Sequence, residues 1–196
     1  MNYIQKNREI ILASASPRRK QLLSQIGLDF EIQASNFDES KIYYEDPAEY
    51  VMNLAKYKAQ SIAANVKSKN CLVIGADTTV YFNNKYLNKA IDEQEAKEML
   101  LSLSNNWHSV FSGICVIDTK NNIEKLDYSE TKVKFRELTI VEIEYYISTG
   151  SPMDKAGSYG IQDDFGAIFV EEIIGDYYNV VGLPLVKLYK MLRELD

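Results

Sequence analysis

The 196-residue chain has two cysteines, one histidine and no surplus of positive charge. Each scarcity removes a class of function. Cys71 and Cys115 both sit in apolar, strand-like runs and read as reduced core thiols, which excludes a disulfide-stapled framework. His108 has no second histidine and no cysteine cluster to join it, so a zinc centre lacks ligands and His108 reads as structural. A net charge of −6 argues against a nucleic-acid duplex as partner, because a phosphate backbone asks for a broad basic face. No apolar run is long enough to span a bilayer, and the start of the chain shows no signal-peptide core. No membrane partner and a cytoplasmic place are therefore expected. Internal repeats, low-complexity tracts and linkers are missing, as are the phosphate-loop and dinucleotide fingerprints. What remains is an ordinary globular composition, 46% hydrophobic and 26% charged, long enough to bury a real core. A single domain over 1–196 is expected.

The informative stretch lies near the start. Ile10 to Ala13 is an apolar run fit for a buried strand, and Ser16-Pro17 reads as a helix N-cap followed by proline at the first helical position. A strand that feeds a helix N-terminus gathers free backbone N–H groups and the positive end of the helix dipole. Arg18 and Arg19 then make that place an anion site, unless both simply face water on a capped surface helix. The helix predicted from Pro17 carries Leu22, Leu23 and Ile26 and ends near Gly27; a strand follows over Phe30 to Gln33.

In the next loop, Asp38 and Glu39 read as solvated acids, of interest only where another carboxylate and a phosphate meet them. A long helix is predicted from Pro47 to about Val66. Lys58 falls on its apolar stripe, between Leu54 and Ile62, so it either snorkels outward or faces a polar cavity. Cys71 to Thr78 reads as an apolar strand that ends in Gly75-Ala76-Asp77, a common way to present a metal-binding carboxylate at a sheet edge; the alternative is an acid capping a turn. A hairpin turns at Asn83-Asn84, Lys89 follows it, and Asp92 with Glu95 opens a helix to Leu103. Long antiparallel strands are predicted over Ser109 to Asp118 and Ile123 to Arg136. Thr139 and Glu142 open a helix on Ile140, Ile143 and Ile147. Gly166 to Ile174 and Tyr177 to Val181 read as strands, and Pro184 starts a last helix. Early alternation with later hairpins points to an α/β fold, a mixed sheet flanked by helices.

Taken together, Leu12-Ala13-Ser14-Ala15-Ser16-Pro17-Arg18-Arg19, Leu54-Ala55 with Lys58-Ala59, Gly75-Ala76-Asp77-Thr78, Asp154-Lys155-Ala156-Gly157 with Tyr159-Gly160-Ile161-Gln162, and Gly175-Asp176-Tyr177-Tyr178 with Val181-Gly182-Leu183-Pro184 resemble the Maf family of nucleoside triphosphate pyrophosphatases. The pieces run in the family's order through nearly the whole chain. The resemblance implies an elongated mixed sheet with two lobes around a central cleft, similar to inosine triphosphate pyrophosphatases, and often a homodimer. It implies cleavage of a nucleoside triphosphate between its α and β phosphates, as house-cleaning of the nucleotide pool. A link to arrest of septum formation is also attributed to the family. A rival reading is a non-catalytic nucleotide sensor acting on septum formation through a protein partner.

By resemblance the proton acceptor falls on Asp77, and the phosphate and metal groups fall on Ser14, Arg18, Arg19, Glu39, Lys58 and Lys89. Base specificity falls on Arg18, Thr78 and Gln162, and Gly-Ala-Asp-Thr with Tyr-Gly-Ile-Gln matches the dTTP/UTP branch. A divalent cation (Mg, Mn or Co) on Glu39 and Asp77 is implied; such an ion suits one or two carboxylates with phosphate oxygens and waters. Ala90 in place of a proline after Lys89, Asn105-Asn106-Trp107 in place of a Ser-Gly turn, and Asp163-Asp164-Phe165 after Gln162 depart from the family pattern.

Overall fold

The computed structural model describes residues 8–39, 42–66, 70–162 and 165–195. The apolar run near the start forms strand β1 (Glu9–Leu12), buried at its last three positions. Helix α1 (Pro17–Gln25) follows with proline at its first turn, and strand β2 is only Glu31–Ile32. Helix α2 (Pro47–Ala63) is capped by Asp46, whose side chain accepts from the Ala48 N–H at 2.8 Å. Strand β3 (Cys71–Phe82) turns through Asn83 and Asn84, both left-handed, into β4 (Lys85–Leu87). Helix α3 (Glu93–Leu103), strands β5 (Trp107–Asp118) and β6 (Ile123–Phe135), helix α4 (Ile140–Ser148), strand β7 (Val170–Ile174) and helices α5 (Tyr177–Val181) and α6 (Leu185–Glu194) complete the order.

The strands form one mixed sheet of order β2-β1-β3-β5-β6-β7, with β4 on β3. β1 pairs in parallel with both β2 and β3, whereas β3–β4 and β6–β7 are antiparallel. This is the mixed sheet flanked by helices that the alternation of elements predicts. No helix among the described residues is long and apolar enough to cross a membrane.

By internal packing the chain divides into two compact units. The first comprises Met1–Asp77, Ser112–Ser129 and Gly182–Asp196; the second comprises Thr78–Phe111 and Glu130–Val181. In the first, α2 lies on β1 and β3 through Ala55, Ala59, Ile62, Ile11, Val73 and Cys115. In the second, Phe135, Tyr146, Tyr159 and Phe169 join Leu100, Leu103 and Ile143 in one cluster. His108 lies in this unit, 4% exposed, with Nε2 2.8 Å from the Tyr159 hydroxyl. Burial holds it neutral, with its pKa pushed down to about 3.

Several local expectations are corrected. Asp77 does not end a strand: β3 runs unbroken from Cys71 to Phe82, and Asp77 stands inside it. The β-branched run Thr78-Thr79-Val80 continues the extended backbone across the small residues. The span from Gly166 divides into a 3₁₀ turn over Phe165–Phe169 and then β7. Tyr177–Val181 is helical, because Asp176 Oδ1 accepts the Tyr178 N–H at 2.9 Å and buried Asn179 donates to the Val110 carbonyl and Thr131 Oγ1, both at 2.9 Å. Ser16 stands at the α1 N-cap position, yet its side chain makes no cap bond. Ile140 is 56% exposed, so the buried face of α4 is Ile143, Tyr146 and Ile147. Ser40, Asp163 and Asp164 lie outside the described residues.

Candidate active site

Strand parity decides where Asp77 points. Cys71 and Val73 pack with Ala55 and Ala59 of α2 in one cluster, and Gly75 and Asp77 share their face by the two-residue repeat of a strand. Gly75 is there because nothing larger fits: a Cβ would lie against the Ala55 carbonyl oxygen and 2.8 Å from the Ala59 nitrogen. Helix and strand therefore touch backbone to backbone, and the next residue along that strand face meets the next residue along the helix stripe. Lys58, one turn from both Leu54 and Ile62, puts Nζ 2.5 Å from Asp77 Oδ1. The lysine side chain is 12% exposed and the aspartate 11%, so the pair is turned inward.

Glu39 joins from the loop between β2 and α2. Its Oε1 lies 2.8 Å from the same Lys58 Nζ, although its own side chain is 50% exposed. Two carboxylates thus converge on one ammonium.

The segment after β1 supplies the second half. Ser14, 8% exposed, accepts the Ser16 N–H at 3.3 Å and Arg19 Nη1 at 3.1 Å. Arg19 also donates through Nε to the Gly182 carbonyl at 2.9 Å. Burial pushes the Arg19 guanidinium below its usual value and Arg18 adds to that, while Asp77 and Glu39 pull it back up. A guanidinium keeps its proton under such a shift. Arg18 is half-buried beside it.

The first unit therefore brings together Ser14, Arg18, Arg19, Glu39, Lys58 and Asp77. Thr78, Lys89 and Gln162 belong to the second unit. Lys89 is exposed and pairs by its backbone with Ala156; the Gly157 N–H donates to the Leu87 carbonyl at 2.8 Å, which ties the loop before Gln162 to the end of β4 and the Lys89 segment after it. Gln162 Oε1 is buried and finds no hydrogen-bond partner among the described residues. Sequence reasoning missed Ser35, Phe37, Tyr57 and Ser61, which hold the Glu39 loop on α2. The one signal available was a serine three residues past Lys58.

Two acids gathered under buried cations, on a mixed α/β sheet, define a protein equipped to hold a polyanion and act on it. The chain belongs to the Maf-like protein family, whose model matches residues 9–195. It is 54% identical over 190 residues to a dTTP/UTP pyrophosphatase of Clostridium botulinum (strain Kyoto / Type A2), covering 96% of this chain and 97% of that one. The dTTP/UTP pyrophosphatase of Clostridium novyi (strain NT) is 54% identical over 188 residues, 95% of this chain and 97% of its own. That of Clostridium tetani (strain Massachusetts / E88) is 50% identical over 186 residues, covering 94% and 96%.

Proposed function

We propose that this chain hydrolyses dTTP and UTP to the monophosphate and pyrophosphate. The observation that carries the reading is the meeting of Asp77 and Glu39 on the Lys58 ammonium. A module that only bound nucleotide would need the cations but no pair of acids. The names of the relatives supply the substrate.

Asp77 takes the proton of the attacking water, whose oxygen bonds to the α phosphorus as the bond from that phosphorus to the α–β bridging oxygen breaks. Lys58 orients Asp77 for that task; an ammonium has three donors, and the two carboxylates account for two. The remaining donor suits a phosphate oxygen. Ser14 Oγ already accepts twice, so its own proton is what it offers to the triphosphate. Arg18, Arg19 and Lys89 add positive charge against the charge that gathers on the leaving pyrophosphate.

A divalent ion fits the acids. Glu39 and Asp77 reach a common point, and no cluster of three or more His, Cys, Asp or Glu side chains occurs among the described residues. That donor set matches a hard cation of the Mg, Mn or Co kind, which is completed by phosphate oxygens and water and not by a protein cage. When bound, such an ion supplies charge neutralisation at the phosphate.

Arg18, Thr78 and Gln162 read the base. The buried Gln162 Oε1 is an acceptor in want of a donor. The ring N3–H of thymine or uracil is such a donor, and cytosine has no proton at that position. The buried thiols Cys71 and Cys115 are not joined in a disulfide, which suits a reducing cytoplasm.

A pyrophosphate-release screen over the common nucleoside triphosphates, with Mg²⁺, Mn²⁺ and Co²⁺ in turn, tests the reading. Release from dTTP and UTP ahead of CTP, dCTP and the purines is expected. No release from any nucleotide makes the protein a sensor.

A further inference from the structure

Resting on that reading, we propose that Ser35 and Ser61, together with the stacked rings of Phe37 and Tyr57, are positioning residues that hold Glu39 at the acidic pair. Glu39 needs such help. It lies in a short 3₁₀ turn, where its carbonyl accepts the Ile42 N–H at 3.1 Å, with no strand or long helix to fix its backbone further, and half of its side chain is in water. A long, half-exposed side chain on so short a turn is spread over many rotamers, and a single ion pair whose acid is half in water holds it only in part.

The anchoring has a direction. Ser61 lies in α2, and its hydroxyl donates to the Lys58 carbonyl at 2.8 Å. Its oxygen can then only accept from Ser35 Oγ, 2.8 Å away, so Ser35 donates. Ser35 in turn accepts the Phe37 N–H at 3.1 Å. Each hydroxyl uses its one proton once, and the chain runs from Phe37 N–H through Ser35 and Ser61 to the carbonyl of Lys58.

That carbonyl belongs to the residue whose ammonium Glu39 meets at 2.8 Å. The loop is closed into a ring: backbone from Phe37 to Glu39, side chain of Glu39 to side chain of Lys58, backbone of Lys58 back to the serines. Across the ring, Phe37 stacks on Tyr57 with centroids 5.0 Å apart and planes 17° from parallel. Tyr57 directly precedes Lys58 on α2, so the aromatic clamp and the hydroxyl chain fix the loop to the same turn of helix.

The test uses the full chain and reads two quantities, turnover of dTTP and direct Mn²⁺ binding by electron paramagnetic resonance, with and without nucleotide. Ser61→Ala should keep its circular dichroism spectrum yet weaken Mn²⁺ binding about tenfold, the usual scale for losing an outer partner of a metal ligand. Ser61→Thr, which keeps the hydroxyl, should restore it. In a Glu39→Gln background, Ser61→Ala should have no further effect, because the group it positions is already disabled. Phe37→Ala should behave as Ser61→Ala does. Wild-type Mn²⁺ affinity in Ser61→Ala, an undiminished effect in the Glu39→Gln background, or no Mn²⁺ binding by the wild type would each overturn the proposal. Failure of the wild type to release pyrophosphate overturns the functional reading instead, and the Mn²⁺ measurements still decide this one.

Discussion

At the candidate site of the first unit, acids and ammonium point at one another. Lys58 faces Asp77 and Glu39, and Arg19 feels both acids. In the second unit three buried polar side chains, Lys155, Asn179 and Tyr146, bond to the backbone. Lys155, 6% exposed, donates to the Ser151 carbonyl at 2.6 Å as well as to Asp154, Asn179 donates to the Val110 carbonyl, and the Tyr146 hydroxyl takes the Gly160 N–H at 3.2 Å. A side chain bonded to backbone shapes a loop and has little left for a ligand. Charges that meet only each other can exchange partners when a ligand of higher charge arrives. The first arrangement is suited to chemistry and the second to holding a frame.

The comparison breaks most decisively at Asp77. Asp77→Asn keeps the shape but cannot take a proton, so dTTP turnover should fall by a hundredfold or more, the scale of a lost general base. Thermal unfolding should stay close to wild type. A variant that releases pyrophosphate at the wild-type rate would remove Asp77 from the chemistry.

A polar group of the second unit should behave the opposite way. Asn179→Ala deletes two buried donors; Thr131 Oγ1 keeps the Asp176 N–H at 3.0 Å, while the Val110 carbonyl loses a partner, a loss of about 1–3 kcal/mol for a buried group left unsatisfied. Urea unfolding should show that loss, while turnover per folded molecule is unchanged. Unaltered stability with lowered turnover would reverse the division drawn above.

The smallest effect sharpens the contrast through pH. Bonds from Arg136, and then from Thr139, hold the Glu142 carboxyl down to about 2, below its ordinary 4.5. A depressed acid stabilises the fold above its unfolded value, and that share is lost as pH falls through the folded value. The melting-temperature gap between wild type and Glu142→Gln should be present at pH 7 and should close between about pH 4.5 and 2. A gap that widens on acidification would show the sign to be wrong.

Legibility in the sequence followed the range of the forces involved. Local signals translated directly: proline at the start of α1, the Asn83-Asn84 turn, the Thr139–Glu142 capping box, and the Leu185, Leu188, Met191, Leu192 and Leu195 stripe of the last helix. Tyr177–Val181 misled because aromatic and β-branched residues favour strands, whereas the deciding contacts came from Val110 and Thr131, far away in the chain. In the candidate site, Lys58 was legible as a charge on an apolar stripe and Asp77 as an acid after small residues. The cost of placing a strand end at Asp77 was to miss that parity, not chain termination, aims its carboxylate. Arg19 read as an anion ligand and also proves to be bonded to the Gly182 carbonyl, which no local pattern announces.

The backbone contact at Gly75 sets limits on how this protein can drift. Gly113 makes the same kind of contact with α2: a Cβ there would lie against the Val51 carbonyl and 2.6 Å from the Met52 nitrogen. Exchanging glycine for alanine is a common route to a sturdier protein, since it narrows the unfolded ensemble. Here that route is closed at both positions, because the helix could admit a methyl group only by backing away and carrying Lys58 with it. A lineage can change the exposed residues of α2 away from Tyr57 and Ser61. It cannot thicken the sheet beneath without moving the cation on which both acids converge.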